Sequence, residues 1–273
     1  MTNFIGNTGL QTPIERACLS GLFALGLMVS ATGVHAAPIF WTDWTTDDSS
    51  STTAVGDFVG KGTITTSTST VDVTYTNPQG IHFFDVGGGT DYWQNNPTGV
   101  AVTGATGRDT SDSPFTSTPV DNIPTGTDII ALNHAGTQTL TFSEAIANPV
   151  FSYVSLNGNG YAFDQDFDIL SFGDSSDGND CGYWGCGTSS KSIVSSGGGT
   201  EYQLLGTGEP HGTIRFTGAF DTVSWRSLSN ETWNGFTVGV EGTEIEVLVP
   251  EPVTLALLAL GLVGIGARRR PIH

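Results

Sequence analysis

Basic side chains are scarce in this sequence. Its 273 residues include nine Lys and Arg against 27 Asp and Glu, which gives a formal net charge of -18 at pH 7. Residues 37–249 contain 25 of the acidic residues and five of the basic ones, so the acidity belongs to the central part of the chain. A field of this sign repels nucleic acid and anionic membranes. It excludes nucleic acid as a partner and keeps the protein soluble.

Charged residues as a whole are also few. They make up 13% of the chain, whereas Gly alone accounts for 37 residues and Ser and Thr are abundant. The composition is poor in the Lys, Glu and Arg that stabilise exposed helices and rich in residues that favour strands and turns. It argues against a helical protein and predicts an all-β one.

The N-terminal apolar run is typical of a secretory signal peptide. Arg16 precedes the apolar residues 19–29. Val34 and Ala36 then occupy the positions before the cleavage site at which signal peptidase requires small residues. We expect cleavage before Ala37. The sequence therefore predicts a cleavable signal helix in residues 1–36 and export of the remainder.

The C-terminal apolar run predicts a short transmembrane helix. Residues 253–267 are predominantly apolar, and three arginines follow them. As a helix this segment rises about 22 Å, which is less than the roughly 30 Å of a bilayer's hydrocarbon core, so the anchor is marginal. The positive-inside rule keeps the arginines in the cytoplasm. Everything before residue 250 then faces the periplasm.

The order of features in this tail resembles a known sorting signal. A Pro-Glu-Pro tripeptide, a short apolar helix and an Arg cluster follow one another in residues 249–273, as in the PEP-CTERM signal of Gram-negative bacteria that make extracellular polysaccharide. The resemblance implies an exosortase-type membrane protease as partner, transient insertion in the inner membrane, and delivery to the cell surface or extracellular matrix. The residues that carry it are Pro250, Glu251, Pro252, Arg268, Arg269 and Arg270.

The central part of the chain predicts a single β-sandwich domain over residues 37–248. Apolar and polar side chains alternate in several short segments, as they do in half-buried strands, and turn-forming residues separate these segments. The alternating apolar residues include Val71, Val73, Tyr75, Leu140, Phe142, Ile214, Phe216, Ile245, Val247 and Val249. We expect two packed antiparallel sheets, of which the jelly roll is one arrangement, with long loops over residues 87–128 and 173–200.

Two of the three cysteines stand close together in the predicted domain. Cys181 and Cys186 are separated by four residues. In an oxidising compartment such a pair favours a disulfide that closes a loop tip. A redox-active pair more often has two intervening residues, and a zinc site needs further ligands.

An acidic, Gly-containing segment precedes the cysteines. Oxygen-bearing side chains around a Gly turn are the ligands that calcium prefers, although the spacing lacks the Glu that completes an EF-hand loop. The candidate calcium ligands are Asp174, Asp177, Asn179 and Asp180. A solvated acidic turn is the favoured alternative.

Aromatic pairs in two Gly-rich loops suggest a carbohydrate site. Tyr92 and Trp93 lie in the first loop, and Tyr183 and Trp184 lie in the second. Exposed rings in such positions stack on sugar faces. Packing in the core or within the loops is the commoner use of such residues.

Catalytic motifs are lacking. The sequence contains neither a Gly-x-Ser-x-Gly elbow nor a His-Glu-x-x-His helix. We therefore expect a non-enzymatic surface or matrix protein associated with extracellular polysaccharide. The alternatives are a carbohydrate-binding module that uses calcium and, less favoured, a secreted hydrolase.

Overall fold

The computed structural model describes residues 38–48, 56–174, 178–196, 199–247, 258 and 261–262. The predicted signal peptide, the Pro-Glu-Pro tripeptide and the Arg cluster lie outside these residues. All described residues belong to one compact unit, residues 34–273. Within the described part of the chain, no helix is long and apolar enough to cross a bilayer.

The described chain consists of short strands that follow one another with little helix. The strands are β1 (Phe40–Trp41), β2 (Asp43–Asp47), β3 (Phe58–Thr65), β4 (Thr70–Asn77), β5 (Phe83–Asp85), β6 (Ile129–Leu132), β7 (Gly136–Ala147), β8 (Val150–Val154), β9 (Gly160–Phe163), β10 (Phe167–Phe172), β11 (Gly187–Ser196), β12 (Gly199–Gly208), β13 (Gly212–Phe216), β14 (Ala219–Ser227), β15 (Asn234–Val240) and β16 (Gly242–Thr243). One helical turn, α1 (Glu244–Val247), follows β16. The all-β prediction is confirmed for these residues.

The strands form two antiparallel sheets. The seven-stranded sheet has the order β10-β13-β8-β15-β6-β5, with β1 paired to β15. The nine-stranded sheet has the order β11-β12-β9-β14-β7-β4-β3-β2, with β16 paired to β7. From β6 to β10 successive strands alternate between the sheets, so each connection crosses from one layer to the other.

The hydrophobic core lies between the two sheets. Phe151 and Phe236 stack in the seven-stranded sheet with ring centroids 4.7 Å apart, and Trp225 of the nine-stranded sheet meets both edge-on at 5.2 and 5.1 Å. Tyr75 of β4 contacts Phe236 at 5.2 Å. Such pairs favour edge-to-face and offset contacts. The two-sheet sandwich is thereby confirmed.

The alternation in β4 shows why the sequence forms this layer. Val71, Val73 and Tyr75 are at most 1% exposed, whereas the intervening Asp72 and Thr74 face outward. A strand with one apolar face must bury that face against a second layer. The predicted strand faces around Leu140 and Ile214 are buried in the same way.

β7 runs from one end of the sandwich to the other. Its first residue, Gly136, pairs with Ser227 of β14, and its last residue, Ala147, pairs with Gly242 of β16. We call the end at Gly136 the site end; it comprises the loops 133–135, 155–159, 209–211 and 228–233. We call the opposite end the tail end; it comprises residues 66–69, 148–149, 217–218 and 241–247.

Two local predictions were wrong. Ile245 and Val247 were expected in a closing strand, but residues 244–247 form a helical turn in which Ile245 is 71% exposed. Residues 173–200 were expected to be a loop, but they contain β11 and the start of β12. The predicted long loop 87–128 does lack strands, although isolated bridges tie it to its surroundings.

Candidate functional site

The disulfide loop supplies two of the predicted aromatic residues. Cys181 and Cys186 form the predicted disulfide. Inside it, the N–H groups of Gly182 and Gly185 each donate to the other residue's carbonyl, at 3.1 and 3.0 Å. The backbone therefore turns tightly at Tyr183 and Trp184, and both side chains project from a short ring.

The loop that carries Tyr92 packs directly on the disulfide loop. The Asn96 N–H donates to the Cys181 carbonyl at 2.8 Å, and the Val102 N–H donates to the Tyr183 carbonyl at 3.0 Å. Gly99 is required by this contact, because a Cβ at that position would lie 2.7 Å from the Cys186 Sγ and its φ is +66°. The two predicted aromatic loops thus form one structure.

The aromatic rings of these loops gather in one half-exposed cluster. Tyr92 lies 5.2 Å from Tyr183 and 6.4 Å from Trp184 between ring centroids, and it is roughly parallel to the Trp184 ring. Trp233 contacts Tyr92 at 5.0 Å and Phe83 at 5.2 Å. We call Phe83, Tyr92, Tyr183, Trp184 and Trp233 the aromatic patch; each is partly exposed.

Trp93 was assigned wrongly to a sugar-contacting role. Its side chain is completely buried, its Nε1 donates to the Asp128 carbonyl at 3.3 Å, and its ring packs edge-on against Phe115 at 5.1 Å. Trp93 therefore supports the loop from beneath. Phe83 and Trp233 occupy the surface instead, and sequence spacing gave no indication that they would join Tyr92.

Arg108 ties the Tyr92 loop to the domain. Its guanidinium donates to both carboxylate oxygens of Asp91, at 2.8 and 2.7 Å. It also donates to the carbonyls of Pro124, at 2.5 Å, and Gly126. Because a forked, charge-assisted pair of this kind fixes geometry as well as distance, it sets the position of the residue next to Asp91, which is Tyr92.

Two glutamates of the site end lie beside the patch. Glu209 accepts hydrogen bonds from the Ser155 hydroxyl at 2.7 Å and the Asn157 amide at 2.5 Å. Glu231, two residues before Trp233, has both carboxyl oxygens buried without a hydrogen bond of ordinary geometry. Burial raises the pKa of Glu231 to about 7; the Asn234 and Asn159 amides oppose this rise, and the Glu209 charge adds to it.

His211 lies beneath the disulfide loop as a neutral packing residue. Its ring is fully buried, and its Nδ1 bonds the Glu209 carbonyl at 2.8 Å. Burial lowers the pKa of His211 to about 4, although that bond opposes the shift. A Cβ on Gly182 would lie 2.1 Å from the imidazole, so glycine at this position lets the loop rest on the ring.

The structure describes three of the four predicted calcium ligands. Asp180 accepts a bond from the Asn95 amide at 3.3 Å, and the Asn179 amide donates to the Phe172 carbonyl at 3.4 Å. Asp174 is half-buried, and Asp177 lies outside the described residues. Among the described residues, no group of three or more His, Cys, Asp and Glu side chains is arranged to hold a metal. Calcium at this loop stays a prediction.

The comparisons with known proteins concern the tail. Residues 248–270 match the PEP-CTERM protein-sorting motif. The protein is therefore an exported, cell-surface-directed exosortase substrate that resides transiently in the membrane. This match confirms the resemblance carried by Pro250–Pro252 and Arg268–Arg270, which lie outside the described residues. No curated protein and no solved structure matches the chain.

Proposed function

We propose that this exported protein is a non-enzymatic cell-surface or matrix protein whose sandwich associates with extracellular polysaccharide through the aromatic patch. The observation that carries the proposal is the patch itself, in which rings from four separate chain segments share one partly exposed surface. Partly exposed aromatic rings are costly to maintain in water without a partner. Sugar rings present apolar C–H faces that match them.

The arrangement of the strands is compatible with this role. Strands β6-β15-β8-β13 in one sheet and β7-β14-β9-β12 in the other follow the order of a jelly roll, in which most connections cross between the layers. We assign the domain to this arrangement, with β10 and β11 inserted between the two halves. The loops at one end of such a sandwich are held by many strands, which makes that end a rigid platform.

The charges around the patch favour an uncharged ligand. Glu209 and Glu231 stand beside it, and residues 37–249 carry 25 acidic side chains against five basic ones. Anionic polymers are repelled by such a field. A neutral polysaccharide can stack on the aromatic rings and is not repelled by the negative charge around them.

A secreted hydrolase is the second candidate, because of Glu231. A carboxyl whose pKa is raised to about 7, beside a second carboxylate, is the pattern of a general acid in glycoside hydrolysis. Against this, Glu231 has both carboxyl oxygens buried, so a substrate has no direct access to them.

Polysaccharide binding by the exported protein tests the proposal. We expect the processed protein to co-sediment with insoluble neutral polysaccharide and to lose at least about tenfold in affinity, roughly 1.4 kcal/mol, in Trp184→Ala and Tyr183→Ala. Tyr202→Ala is the matched control, because Tyr202 is a half-buried aromatic on β12 outside the patch. Release of reducing ends that Glu231→Gln abolishes would favour the hydrolase. Equal binding by all variants would contradict the patch's role.

Calcium dependence is tested in the same assay. A chelator that abolishes binding while the protein stays folded would support the predicted acidic-turn site. Unchanged binding in the chelator would leave the patch as a metal-independent surface.

A further inference from the structure

We propose that, while the sorting tail is in the membrane, the sandwich is held with its tail end against the bilayer surface and its aromatic patch at the far end. The PEP-CTERM match and the strand registers together define this orientation, whatever the patch binds.

The registers place the two features at opposite ends of the domain. Trp233 directly precedes β15, which starts at the site end, and β15 ends at Val240. The chain then turns into β16, where Gly242 pairs with Ala147, the last residue of β7. The first residue of β7, Gly136, pairs with Ser227, which leads into the loop that carries Trp233. The partners of the two ends of β7 on β14, Ala219 and Ser227, are eight residues apart, so these ends are about 27 Å apart.

Glu246 fixes the point at which the chain leaves the domain. One carboxylate oxygen accepts bonds from the Thr66 and Ser67 hydroxyls, both at 2.9 Å, and from the Thr68 N–H and hydroxyl, at 2.8 and 2.6 Å. The other oxygen accepts from the Thr243 N–H at 2.7 Å. We call this set of bonds the Glu246 clamp.

The clamp leaves a short tether. Four peptide units separate Glu246 from Pro250, and at 3.3–3.6 Å each they span at most about 14 Å. This distance is well below the length of the sandwich. The domain therefore cannot turn end over end above the membrane, and the tail end is the part that stays near the bilayer and its protease.

Loss of the clamp changes this geometry. Without it, α1 is no longer fixed, and the tether extends back to Thr243, the last residue that pairs with β7 and seven residues before Pro250. Such a tether reaches about 25 Å, comparable with the distance between the two ends of the domain. The domain then reorients more freely.

Site-specific quenching tests the orientation. The full chain, purified unprocessed from a host that lacks the sorting protease, is labelled with a fluorophore at Thr217→Cys or Thr232→Cys, both exposed. It is reconstituted in vesicles containing lipids with a nitroxide headgroup. Thr217 lies in the β13–β14 turn at the tail end, and Thr232 lies in the loop of the patch. We expect strong quenching at position 217 and little at position 232.

The clamp variants complete the experiment. Glu246→Ala should reduce the difference between the two positions, whereas Glu244→Ala, which removes an exposed carboxylate from the same helical turn, should preserve it. Circular dichroism confirms that each variant is folded. Equal quenching at both positions in the unaltered protein, or stronger quenching at position 232, would overturn the orientation. An unchanged difference in Glu246→Ala would overturn the role of the clamp.

Discussion

Glu246 accepts two hydrogen bonds from Thr68, one from its N–H at 2.8 Å and one from its hydroxyl at 2.6 Å. The two residues are far apart in sequence and join α1 to the turn between β3 and β4. Partial burial opposes ionisation of the Glu246 carboxyl, but the bonds from Thr68, Thr243, Thr66 and Ser67 together lower its pKa to about 2. The carboxylate therefore holds the end of the domain in its charged form.

Removing this carboxylate should destabilise the domain modestly. For Glu246→Ala we expect the free energy of unfolding to fall by about 1–2 kcal/mol, because several donors lose a charged acceptor but water replaces it at this accessible site. Urea denaturation at pH 7 measures the change. Glu244→Ala should stay within about 0.5 kcal/mol of the unaltered protein. Equal losses in the two variants would show that the bonds contribute nothing specific.

Acid should remove the same contribution. The pKa of Glu246 is lower in the folded state than the ordinary value of 4.5, so its stabilisation is complete above pH 4.5 and is lost as the pH falls toward 2. The difference in unfolding free energy between the unaltered protein and Glu246→Ala should therefore shrink between pH 4.5 and pH 2. A difference that is constant over this range would contradict an ionic role.

Glu231 should have the opposite effect of pH. Its folded pKa is about 7 against an ordinary 4.5, so the unfolded state loses its proton first and stability falls as the pH rises from 4.5 to 7. Glu231→Gln should raise the unfolding free energy by about 1–2 kcal/mol at pH 8, after allowance for partial exposure, and leave it unchanged at pH 4. Asp221→Asn, at an exposed position on β14, is the control and should change stability at neither pH.

The sequence predicted those features that depend on local patterns. The alternation around Val71 and Leu140 indicated which strand faces are buried, and the spacing of Cys181 and Cys186 indicated the disulfide. The strand predicted at Ile245 failed because alternation was counted over only three residues. The sequence from Thr243 to Glu246 is a capping box, in which the Thr243 hydroxyl accepts the Glu246 N–H at 3.3 Å, and this signal marks a helix start.

The patch could be predicted only in part, because it is assembled over long sequence separations. Tyr92 and Trp184 are adjacent in space although they are 92 positions apart in the sequence, and nothing in their spacing encodes that contact. The Gly-rich sequences around Tyr92 and Trp184 correctly predicted that both residues lie in loops. They could not distinguish Trp93, which faces inward, from Tyr92, which faces outward, since neighbouring residues in an irregular loop have no fixed period.

Reducing the disulfide should affect the patch more than the sandwich. The ring closed by Cys181 and Cys186 is small, so its loss in Cys181→Ser/Cys186→Ser should lower the unfolding free energy by about 2 kcal/mol, which a core of two packed sheets tolerates. Tyr183 and Trp184 lose their fixed turn, and intrinsic tryptophan fluorescence should shift to longer wavelength. Ser190→Ala, at an exposed position on β11, is the control and should leave the emission unchanged. An unshifted spectrum in the double variant would show that the loop is held without the disulfide.

Arg108 should control the order of the loop that carries Tyr92. Four hydrogen bonds join its guanidinium to Asp91, Pro124 and Gly126, and Lys cannot reproduce the forked contact with the carboxylate. We expect both Arg108→Ala and Arg108→Lys to speed proteolysis within residues 87–128 and to lower the unfolding free energy by about 1–2 kcal/mol. Lys61→Ala, which removes an exposed ion pair with Asp48, should cost less than about 1 kcal/mol and leave proteolysis unchanged. Full recovery of protection in Arg108→Lys would show that a single positive charge is sufficient, because only the forked geometry distinguishes the two side chains.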